Sequence, residues 1–495
     1  MGLTYVSTRD KNNKATASEA ILQGLAADGG LYVPEYIPKY ANSWRSLCRK
    51  SYQEIAYEIM SLFLTDFSEE ELKSCINRAY DSKFDDPSIA PVRKADSSFY
   101  IELFHGRTIA FKDMALSILP HLMTASARKN NVSNDIVILT ATSGDTGKAA
   151  LEGFAGVEQT RIVVFYPKNG VSAIQEKQML TQKGDNTLVV GIHGNFDEAQ
   201  TGVKKIFSDT ALKEKMDKAG FSFSSANSIN IGRLVPQIVY YVASYVRLLE
   251  SEEIIDGELI NVTVPTGNFG NILAAYYAKQ MGLPIDKLIC ASNENKVLFD
   301  FFSTGIYNKN RKFVLTSSPS MDILVSSNLE RLIYKIAGED DTMDRDLMNK
   351  LVNEGEYEIT TNMRSKLSDF YGNYASEEET LNTINRIFES DNYVLDPHTA
   401  VAACVYDKYR KETGDTKKTL IASTASPYKF TRSVMKAINR DDPSKSDIEL
   451  TDTLYEVTGV DIPPAIQEIK EAPIRHDTQC DVEAMKSVVE DFLGI

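Results

Sequence analysis

Short β-branched stretches alternate with helix-like stretches from about residue 95 onward. The strand-like stretches cover residues 136–140, 161–166, 187–192, 259–264, 287–291 and 419–423. They have the length and composition of buried strands, and several lead through a loop of small and polar residues into a segment typical of a helix. Repetition of strand, loop and helix predicts an α/β fold with open, mostly parallel sheets, in which ligands bind beyond the carboxyl ends of the strands.

Changes in character along the chain predict four regions. Residues 1–95 are polar and mostly helical and predict an N-terminal domain. Residues 96–300 predict the first part of the α/β core, including a smaller subdomain at about 130–250. Residues 301–395 predict a helical insertion, and 396–495 complete the core and add C-terminal helices. A chain of 495 residues exceeds the size of one hydrophobic core, which agrees with several subdomains.

The net charge of −15 argues against nucleic acid and against an anionic membrane as partners, so an anionic ligand must be held by local donors. The five cysteines are scattered and form no metal-binding pattern, which fits reduced thiols in a cytoplasmic protein. No signal-peptide pattern opens the chain, and no apolar run approaches membrane-spanning length. We expect neither a membrane partner nor a metal, and the oligomeric state, monomer or homodimer, stays open.

The most informative segment is 105–113, because it places a lysine among apolar residues. Phe111 precedes Lys112, and an apolar Met-Ala-Leu run follows at 114–116. A lysine there extends to water, pairs with a carboxylate or uses its amine in chemistry. A partly desolvated amine is a nucleophile suited to Schiff-base formation with an aldehyde cofactor. Taken alone, an ion pair with Asp113 at a helix start is the simpler interpretation.

Four further segments offer donors to a ligand. The loop 141–148 presents small hydroxyl side chains and backbone N–H groups at a helix N-terminus, but its glycine spacing does not match the nucleotide P-loop. The loop 265–271 has two glycines before a helix, which suits a phosphate, although a structural tight turn is equally consistent. Residues 225–233 gather amide, hydroxyl and guanidinium donors, or form an ordinary polar turn with a solvated arginine. Thr424, after a predicted strand, adds a neutral hydroxyl.

Together these segments supply an amine nucleophile, two phosphate cradles and a hydroxyl that faces a ring, which fits pyridoxal phosphate and a phosphorylated amino-acid substrate. The chain also resembles threonine synthases, pyridoxal-phosphate enzymes of fold type II, the tryptophan synthase β group. The matching motifs follow one another in order at 5–9, 28–34, 105–113, 141–147, 175–179, 227–233, 267–271, 320–322, 396–400 and 423–430. The length and the N-terminal region resemble the longer branch found in fungi and many bacteria.

The resemblance implies pyridoxal 5'-phosphate as cofactor and Lys112 as the catalytic residue that holds it covalently. Asp145 would lie near the ring hydroxyl and Thr424 near the pyridine nitrogen. The implied cofactor-binding residues are Lys112, Asp145, Gly267, Asn268, Phe269, Gly270, Asn271 and Thr424. The implied substrate-binding residues are Thr142, Ser143 and Thr146 for the carboxylate, and Asn227, Ser228 and Arg233 for the phosphate.

The implied reaction converts O-phospho-L-homoserine and water to L-threonine and phosphate, the last step of threonine biosynthesis, by β,γ-elimination and replacement. A serine or threonine dehydratase shares the lysine and the glycine loop, but its substrate has no phosphate for Arg233 to hold. A catalytically inactive relative that binds a phosphorylated metabolite or a protein would not need Lys112 and Thr424. Ser426 stands where many relatives have histidine, which leaves a role for an imidazole at that position open.

Overall fold

A computed structural model describes residues 2–142, 144–168 and 170–495. The N-terminal region consists of β1 (Tyr5–Ser7), β2 (Lys14–Ala15), α1 (Ala17–Gln23), β3 (Tyr32–Pro34), a 3-10 turn (Trp44–Leu47), α2 (Tyr52–Phe63) and α3 (Glu69–Ala79). Strand β1 pairs antiparallel with both β2 and β3. The N-cap residues of the three helices are Thr16, Ser51 and Ser68, each of which forms a capping box with a glutamate three residues later.

The first part of the α/β core follows. Its elements are β4 (Val92–Ala95), β5 (Ser98–Glu102), α4 (Asp113–Leu116), α5 (Leu119–Lys129), β6 (Asp135–Ala141), α6 (Asp145–Phe154), β7 (Thr160–Pro167), α7 (Ala173–Leu180), β8 (Thr187–Ile192), α8 (Phe196–Ser208), α9 (Thr210–Lys218), β9 (Phe221–Ser224), α10 (Ile231–Glu250), β10 (Ile260–Pro265), α11 (Gly270–Met281) and β11 (Ile285–Ser292). The regular alternation of strands and helices agrees with the sequence prediction.

The rest of the chain is mainly helical. Its elements are α12 (Val297–Thr304), β12 (Ile306–Asn308), a 3-10 turn (Pro319–Met321), α13 (Leu329–Ile336), α14 (Asp341–Asn353), β13 (Glu356–Glu358), α15 (Thr361–Ser365), β14 (Phe370–Tyr374), α16 (Glu377–Asp391), α17 (Pro397–Thr413), β15 (Thr419–Ser423), a 3-10 turn (Pro427–Phe430), α18 (Thr431–Ala437), α19 (Glu449–Thr458), α20 (Pro464–Glu471), β16 (Gln479–Cys480), a 3-10 turn (Val482–Ala484) and α21 (Met485–Leu493). Strands β12, β13 and β14 thus accompany the helices that we expected in 301–395.

Two open sheets form the centre of the fold. The larger sheet has the order β14-β11-β10-β15-β5-β4 and is parallel except at its β4 edge. The smaller sheet has the order β16-β8-β7-β6-β9 and is parallel throughout. The predicted α/β architecture with mostly parallel sheets is confirmed, and the predicted strands correspond to β6, β7, β8, β10, β11 and β15.

Helix α10 links the N-terminal region to the core. It packs against α2, α4 and α11, and nearly every one of its side chains is buried. Neither this helix nor any other in the described part of the chain is long and apolar enough to cross a membrane. The loops after β5, β6, β10 and β15 lead to Lys112, Thr142, Gly267 and Thr424 respectively, as expected for a ligand site at the carboxyl ends of parallel strands.

Candidate active site

Lys112 immediately precedes α4, at the end of the loop that leaves β5. Backbone contacts attach this loop to the one that follows β15, because the Phe111 N–H donates to the carbonyl of Thr424 (2.8 Å) and Ala110 forms an antiparallel bridge with Ala425. The structure therefore brings the predicted catalytic lysine and the predicted ring partner together, although 312 positions separate Lys112 from Thr424 in the chain (424 − 112).

The carboxylate of Asp113 has a local structural role. It accepts hydrogen bonds from the backbone N–H of Thr108 (2.7 Å) and from the Thr108 hydroxyl (2.6 Å), and burial raises the pKa of Asp113 to about 6. Lys112 Nζ instead donates to the Ser320 hydroxyl (3.3 Å) and lies 3.7 Å from Asp145 Oδ2. The ion pair between Lys112 and Asp113, the simpler interpretation of the sequence, is therefore wrong.

The Lys112 amine is held in a buried and largely cationic environment. Its side chain is 12% exposed. Burial lowers the pKa of Lys112 to about 8; Asp145 opposes this effect, whereas Arg233 and Lys429 add to it. About a tenth of such an amine is neutral at pH 7, far more than of an ordinary lysine, so it is better able to act as a nucleophile or a base.

Asp145, the first residue of α6, is the centre of a polar network. Its Oδ1 accepts from Gln175 Nε2 (2.8 Å) and lies 3.2 Å from Lys429 Nζ, and its Oδ2 accepts from the Ser320 hydroxyl (2.8 Å). Burial alone would raise the pKa of Asp145, but Lys429 and Lys112 outweigh it and hold the pKa well below its usual range. Asp145 is therefore an ionised carboxylate beside the Lys112 amine.

The loop between β10 and α11 is closely packed around its glycine. A Cβ atom on Gly267 would lie 2.5 Å from the backbone oxygen of Ser320, so a side chain there forces the two backbones apart. Phe269, buried, has a φ of 63° in the left-handed region and leads directly into α11, which exposes the helix N-terminus toward the loop. The structure thus shows the tight turn considered from the sequence, and the helix N-terminus behind it is compatible with the predicted phosphate cradle.

The two ends of this loop differ in exposure. Asn268 is exposed, and its carbonyl accepts from the backbone N–H (3.1 Å) and the side chain (3.0 Å) of Asn328. Asn271 is buried, and its Oδ1 accepts from the hydroxyl groups of Tyr240 (2.7 Å) and Tyr241. Its Nδ2 finds no hydrogen-bond acceptor among the described residues and is a free buried donor. Gly270 begins α11 between these two residues.

Arg233 lies in the first turn of α10 and is 3% exposed. Its Nη1 donates to the carbonyl of Ala226 (3.0 Å), and its Nε has no acceptor in the part of the chain that the structure describes. Burial lowers the pKa of Arg233 to about 10. Ser228 is half-buried and Asn227 is exposed, so only part of the predicted substrate-phosphate set lines the interior. The alternative of a solvated arginine is wrong.

The predicted carboxylate site lies at the start of α6. The Thr142 hydroxyl accepts from the backbone N–H groups of Gly144 (3.0 Å) and Gly147 (2.9 Å), which shapes the loop and leaves its own proton as a donor. Gly144 has a φ of 137°, a conformation that requires glycine. Thr146 is half-buried, and Ser143 lies outside the described residues.

Thr424 and Ser426 flank the bridge to the lysine segment. Thr424 is 5% exposed, and its backbone N–H donates to the Thr399 hydroxyl (3.2 Å). The Ser426 hydroxyl caps the following 3-10 turn by accepting from the backbone N–H of Tyr428 (3.3 Å). Ser426 therefore carries a local structural contact.

The sequence did not assign a role to Gln175, Ser320, His398 and Lys429, which complete the site. Ser320 is the central one: its backbone N–H donates to His398 Nε2 (3.1 Å), while His398 Nδ1 contacts Asp396 (2.8 Å). This arrangement places the ring proton of a neutral His398 on Nδ1. All four residues lie in motifs that carried the resemblance, and that was the available signal.

Three family models match consecutive parts of the chain. Residues 4–80 match "Threonine synthase N terminus", 92–425 match "Pyridoxal-phosphate dependent enzyme" and 399–489 match "Threonine synthase, C-terminal". The chain belongs to the threonine synthase family. The fold type II class, the membership and pyridoxal phosphate as the family's cofactor, all expected from the sequence, are confirmed.

Individual members of the threonine synthase family agree with this result. The chain is 41% identical over 456 residues to threonine synthase-like 1 of Homo sapiens, an alignment that covers 88% of this chain and 61% of the human protein. It is 37% identical over 469 residues to threonine synthase of Schizosaccharomyces pombe, covering 88% and 90%. The structure of pyridoxal-phosphate-bound threonine synthase from Brucella melitensis superposes with a TM-score of 0.87 at 33% identity over 99% of both chains. The chain thus spans less than two thirds of the human relative.

The residues of this chain fit the cofactor of the threonine synthase family. A buried amine with a lowered pKa is available at Lys112 to hold an aldehyde. The loop after β10 packs at Gly267 directly against the backbone of Ser320 and leaves no room for a side chain. Asn271, in the same loop, adds an unpaired buried donor. These donors, with the N-terminus of α11, suit a phosphate group.

Proposed function

We propose that this protein converts O-phospho-L-homoserine and water to L-threonine and phosphate, with pyridoxal phosphate bound at Lys112. The observation that carries the proposal is a pair of segments with unpaired buried donors beside one buried amine. One segment is the loop after β10 with Asn271, and the other is the start of α10 with Arg233. A dehydratase needs the first segment for its cofactor but has no phosphate for the second.

Each predicted site residue has a part in this proposal. When bound, pyridoxal phosphate withdraws electrons from the substrate and eases the removal of protons near its amino group. Lys112 holds the cofactor and moves protons at the substrate α-carbon, while Thr424 presents a neutral hydroxyl to the ring nitrogen. Gly267, Asn268, Phe269, Gly270 and Asn271 hold the cofactor phosphate, and Asp145 faces the ring hydroxyl.

The remaining residues bind the substrate. Arg233, Ser228 and Asn227 hold its phosphate, where negative charge grows as that group leaves, so a buried guanidinium stabilises the departure. Thr142, Ser143 and Thr146, with the N-terminus of α6, hold its carboxylate. The exposed position of Asn227 makes it the weakest contributor, because contacts at an exposed site compete with water.

The test is incubation of the purified, cofactor-loaded protein with O-phospho-L-homoserine, followed by phosphate release and amino-acid analysis. We expect equimolar phosphate and threonine, and no turnover by Lys112→Ala, which should still fold because a pocket amine contributes little to the core. Formation of 2-oxobutyrate from serine or threonine without activity toward O-phospho-L-homoserine would support the dehydratase. Wild-type turnover by Lys112→Ala would refute the assignment of the lysine.

Two coarser properties complete the proposal. Free cysteines at Cys48, Cys75, Cys290, Cys404 and Cys480 support a cytoplasmic location, where thiols stay reduced. The division into 1–95, 96–300 with a subdomain at 130–250, 301–395 and 396–495 stays a proposal for limited proteolysis to test.

A further inference from the structure

Lys429 is a second lysine in the candidate site, and its side chain is completely buried. It belongs to the 3-10 turn Pro427–Phe430 that follows β15. Its Nζ donates to the carbonyl of Thr108 (2.8 Å), lies 3.2 Å from Asp145 Oδ1 and is 3.5 Å from Gln178 Oε1. These acceptors match the three N–H groups of an ammonium, whereas a neutral amine offers only two.

The contacts of Asp145 leave Lys112 as the more distant of its two cationic neighbours. Asp145 Oδ1 is occupied by Gln175 (2.8 Å) and Lys429 (3.2 Å). Asp145 Oδ2 is occupied by the Ser320 hydroxyl (2.8 Å), while Lys112 Nζ lies 3.7 Å away. The charge of the carboxylate is therefore balanced mainly by Lys429. Lys112 lacks a close ion pair that would fix it as an ammonium.

We propose that Lys429 is a positioning residue: its buried ammonium engages Asp145 and so leaves the Lys112 amine free to carry protons. The inference rests on the proposed function for its kinetic consequence, because it gives the second lysine a part in setting the proton acceptor of that reaction. It does not require contact between Lys429 and the substrate.

The charged groups around Lys112 agree with this role. Burial lowers the pKa of Lys112, Asp145 of α6 raises it, and Arg233 of α10 and Lys429 lower it. His398 of α17 contacts the backbone of Ser320, the residue whose hydroxyl joins Lys112 to Asp145. Removing Lys429 takes away a repulsion and lets Asp145 pair with Lys112, so both effects favour the protonated form of Lys112.

The decisive measurement uses the cofactor-free protein and follows Lys112 alone. Competitive acetylation by acetic anhydride between pH 6 and 11, with mass spectrometry of the peptide that contains Lys112, gives the titration midpoint of its amine. We expect Lys429→Gln to raise this midpoint by about one pH unit or more, in the range that one nearby charge produces. We expect Lys429→Arg to leave it within a few tenths of a unit, because the charge is retained.

Removal of the negative charge of Asp145 is the matched comparison to removal of the positive charge of Lys429. Asp145→Asn removes the carboxylate, so the Lys112 midpoint should fall. Opposite shifts in the two variants separate an electrostatic role from general damage, which would move both the same way. The inference is overturned if Lys429→Gln leaves the midpoint unchanged or lowers it. Should Lys429→Gln fail to fold, Lys429→Met, which keeps most of the buried stem, replaces it, and an unchanged or lowered Lys112 midpoint in that variant overturns the inference.

Kinetics then separate this inference from the proposed function. In the loaded enzyme, Lys429→Gln should move the acidic limb of the kcat profile for O-phospho-L-homoserine upward in pH, because kcat reports the substrate complex in which the Lys112 amine carries protons, and Lys429→Arg should restore it. If O-phospho-L-homoserine is not a substrate, the proposed function fails while the acetylation result stands. If Lys429→Gln turns over normally and the titration midpoint of its Lys112 amine is unshifted, the proposed function stands and the proposed role of Lys429 is refuted.

Discussion

Replacement of Arg233 by methionine should weaken phosphate binding without destabilising the ligand-free protein. Methionine retains most of the buried stem and removes the guanidinium. In the structure this guanidinium is 3% exposed, donates to one carbonyl and has an Nε without an acceptor among the described residues. A buried cation held this way destabilises the ligand-free protein, because no carboxylate among the described residues pairs with it.

The expected magnitudes follow from these contacts. The lost bond to the Ala226 carbonyl costs about 1 kcal/mol, whereas relief from an unpaired buried donor returns about 1–3 kcal/mol. The unfolding free energy of Arg233→Met should therefore stay equal or rise by up to about 2 kcal/mol. Charge-assisted contacts to a phosphate are worth about 1.5–3 kcal/mol, so the affinity for phosphate should fall by roughly one to two decades.

Urea denaturation with and without inorganic phosphate measures both effects. For the parent, phosphate at a hundredfold its Kd should add about 2.7 kcal/mol to the unfolding free energy, and at the same concentration Arg233→Met should lose about 1.3–2.3 kcal/mol of this gain. The visible spectrum of the bound cofactor should not change. Arg247→Met is the matched control, because Arg247 lies on the same helix but pairs with Glu250 in the last turn. Loss of stability by more than about 2 kcal/mol with an intact phosphate response would refute the reasoning.

Three further outcomes are expected. Gly267→Val should lower cofactor occupancy in a spectroscopic titration, because its Cβ would lie 2.5 Å from the Ser320 oxygen; normal occupancy would contradict the close approach. Burial lowers the pKa of His105, but hydrogen bonds to two carboxylates outweigh it and raise the value to about 9. The stability that this histidine contributes is therefore complete below pH 6.5 and lost as the pH rises through 9, so His105→Gln should cost on the order of 2 kcal/mol in urea at pH 6 and little at pH 10. Burial, then a neighbouring glutamate, raise the pKa of Asp344 to about 9, so the folded state keeps a proton that the unfolded state has lost above pH 3.8. Parent stability then falls with pH across that window by up to about 1.4 kcal/mol per pH unit, and the advantage of Asp344→Asn in urea should grow from pH 5 to pH 8; a constant difference would argue against it.

The positions of six central strands along the chain, and the loops that follow some of them, could be predicted from the sequence. Buried parallel strands are continuous apolar runs, and β10 and β15 are buried along their whole length, so local composition identified them. The rule that ligands bind at the carboxyl ends of parallel strands then selected the loops with Gly267 and Thr424. The edge strand β14 was missed in a charged segment, because its side chains are only half-buried and its pattern is weak.

The contacts that tune the site could not be predicted, because they join distant parts of the chain. Lys112 and Ser320 are 208 residues apart, and Lys429 and Thr108 are 321 apart. Local periodicity contains no information on which polar side chains meet at such separations. The sequence also favoured an ion pair between Lys112 and Asp113, since neighbours in sequence are the only partners that a sequence makes visible.

The partners of the buried cations explain how an acidic chain holds anionic ligands. Arg233 donates to the carbonyl of Ala226, and Lys429 donates to that of Thr108. Arg331, 2% exposed, donates to the carbonyls of Tyr32 and Ile229. Carbonyl groups fix the direction of a cation but leave its charge, whereas a carboxylate would cancel it.

Asp145 is the carboxylate that pairs with one of these buried cations, Lys429. Arg233, in contrast, has no carboxylate partner among the described residues, so positive charge remains where the substrate phosphate is proposed to bind. The net charge of −15 therefore does not describe the site, because low-dielectric surroundings make nearby charges dominate over distant, screened ones. A phosphate that enters balances charge that the fold has left uncompensated. Binding strength and a cost to the stability of the ligand-free protein thus have the same physical origin.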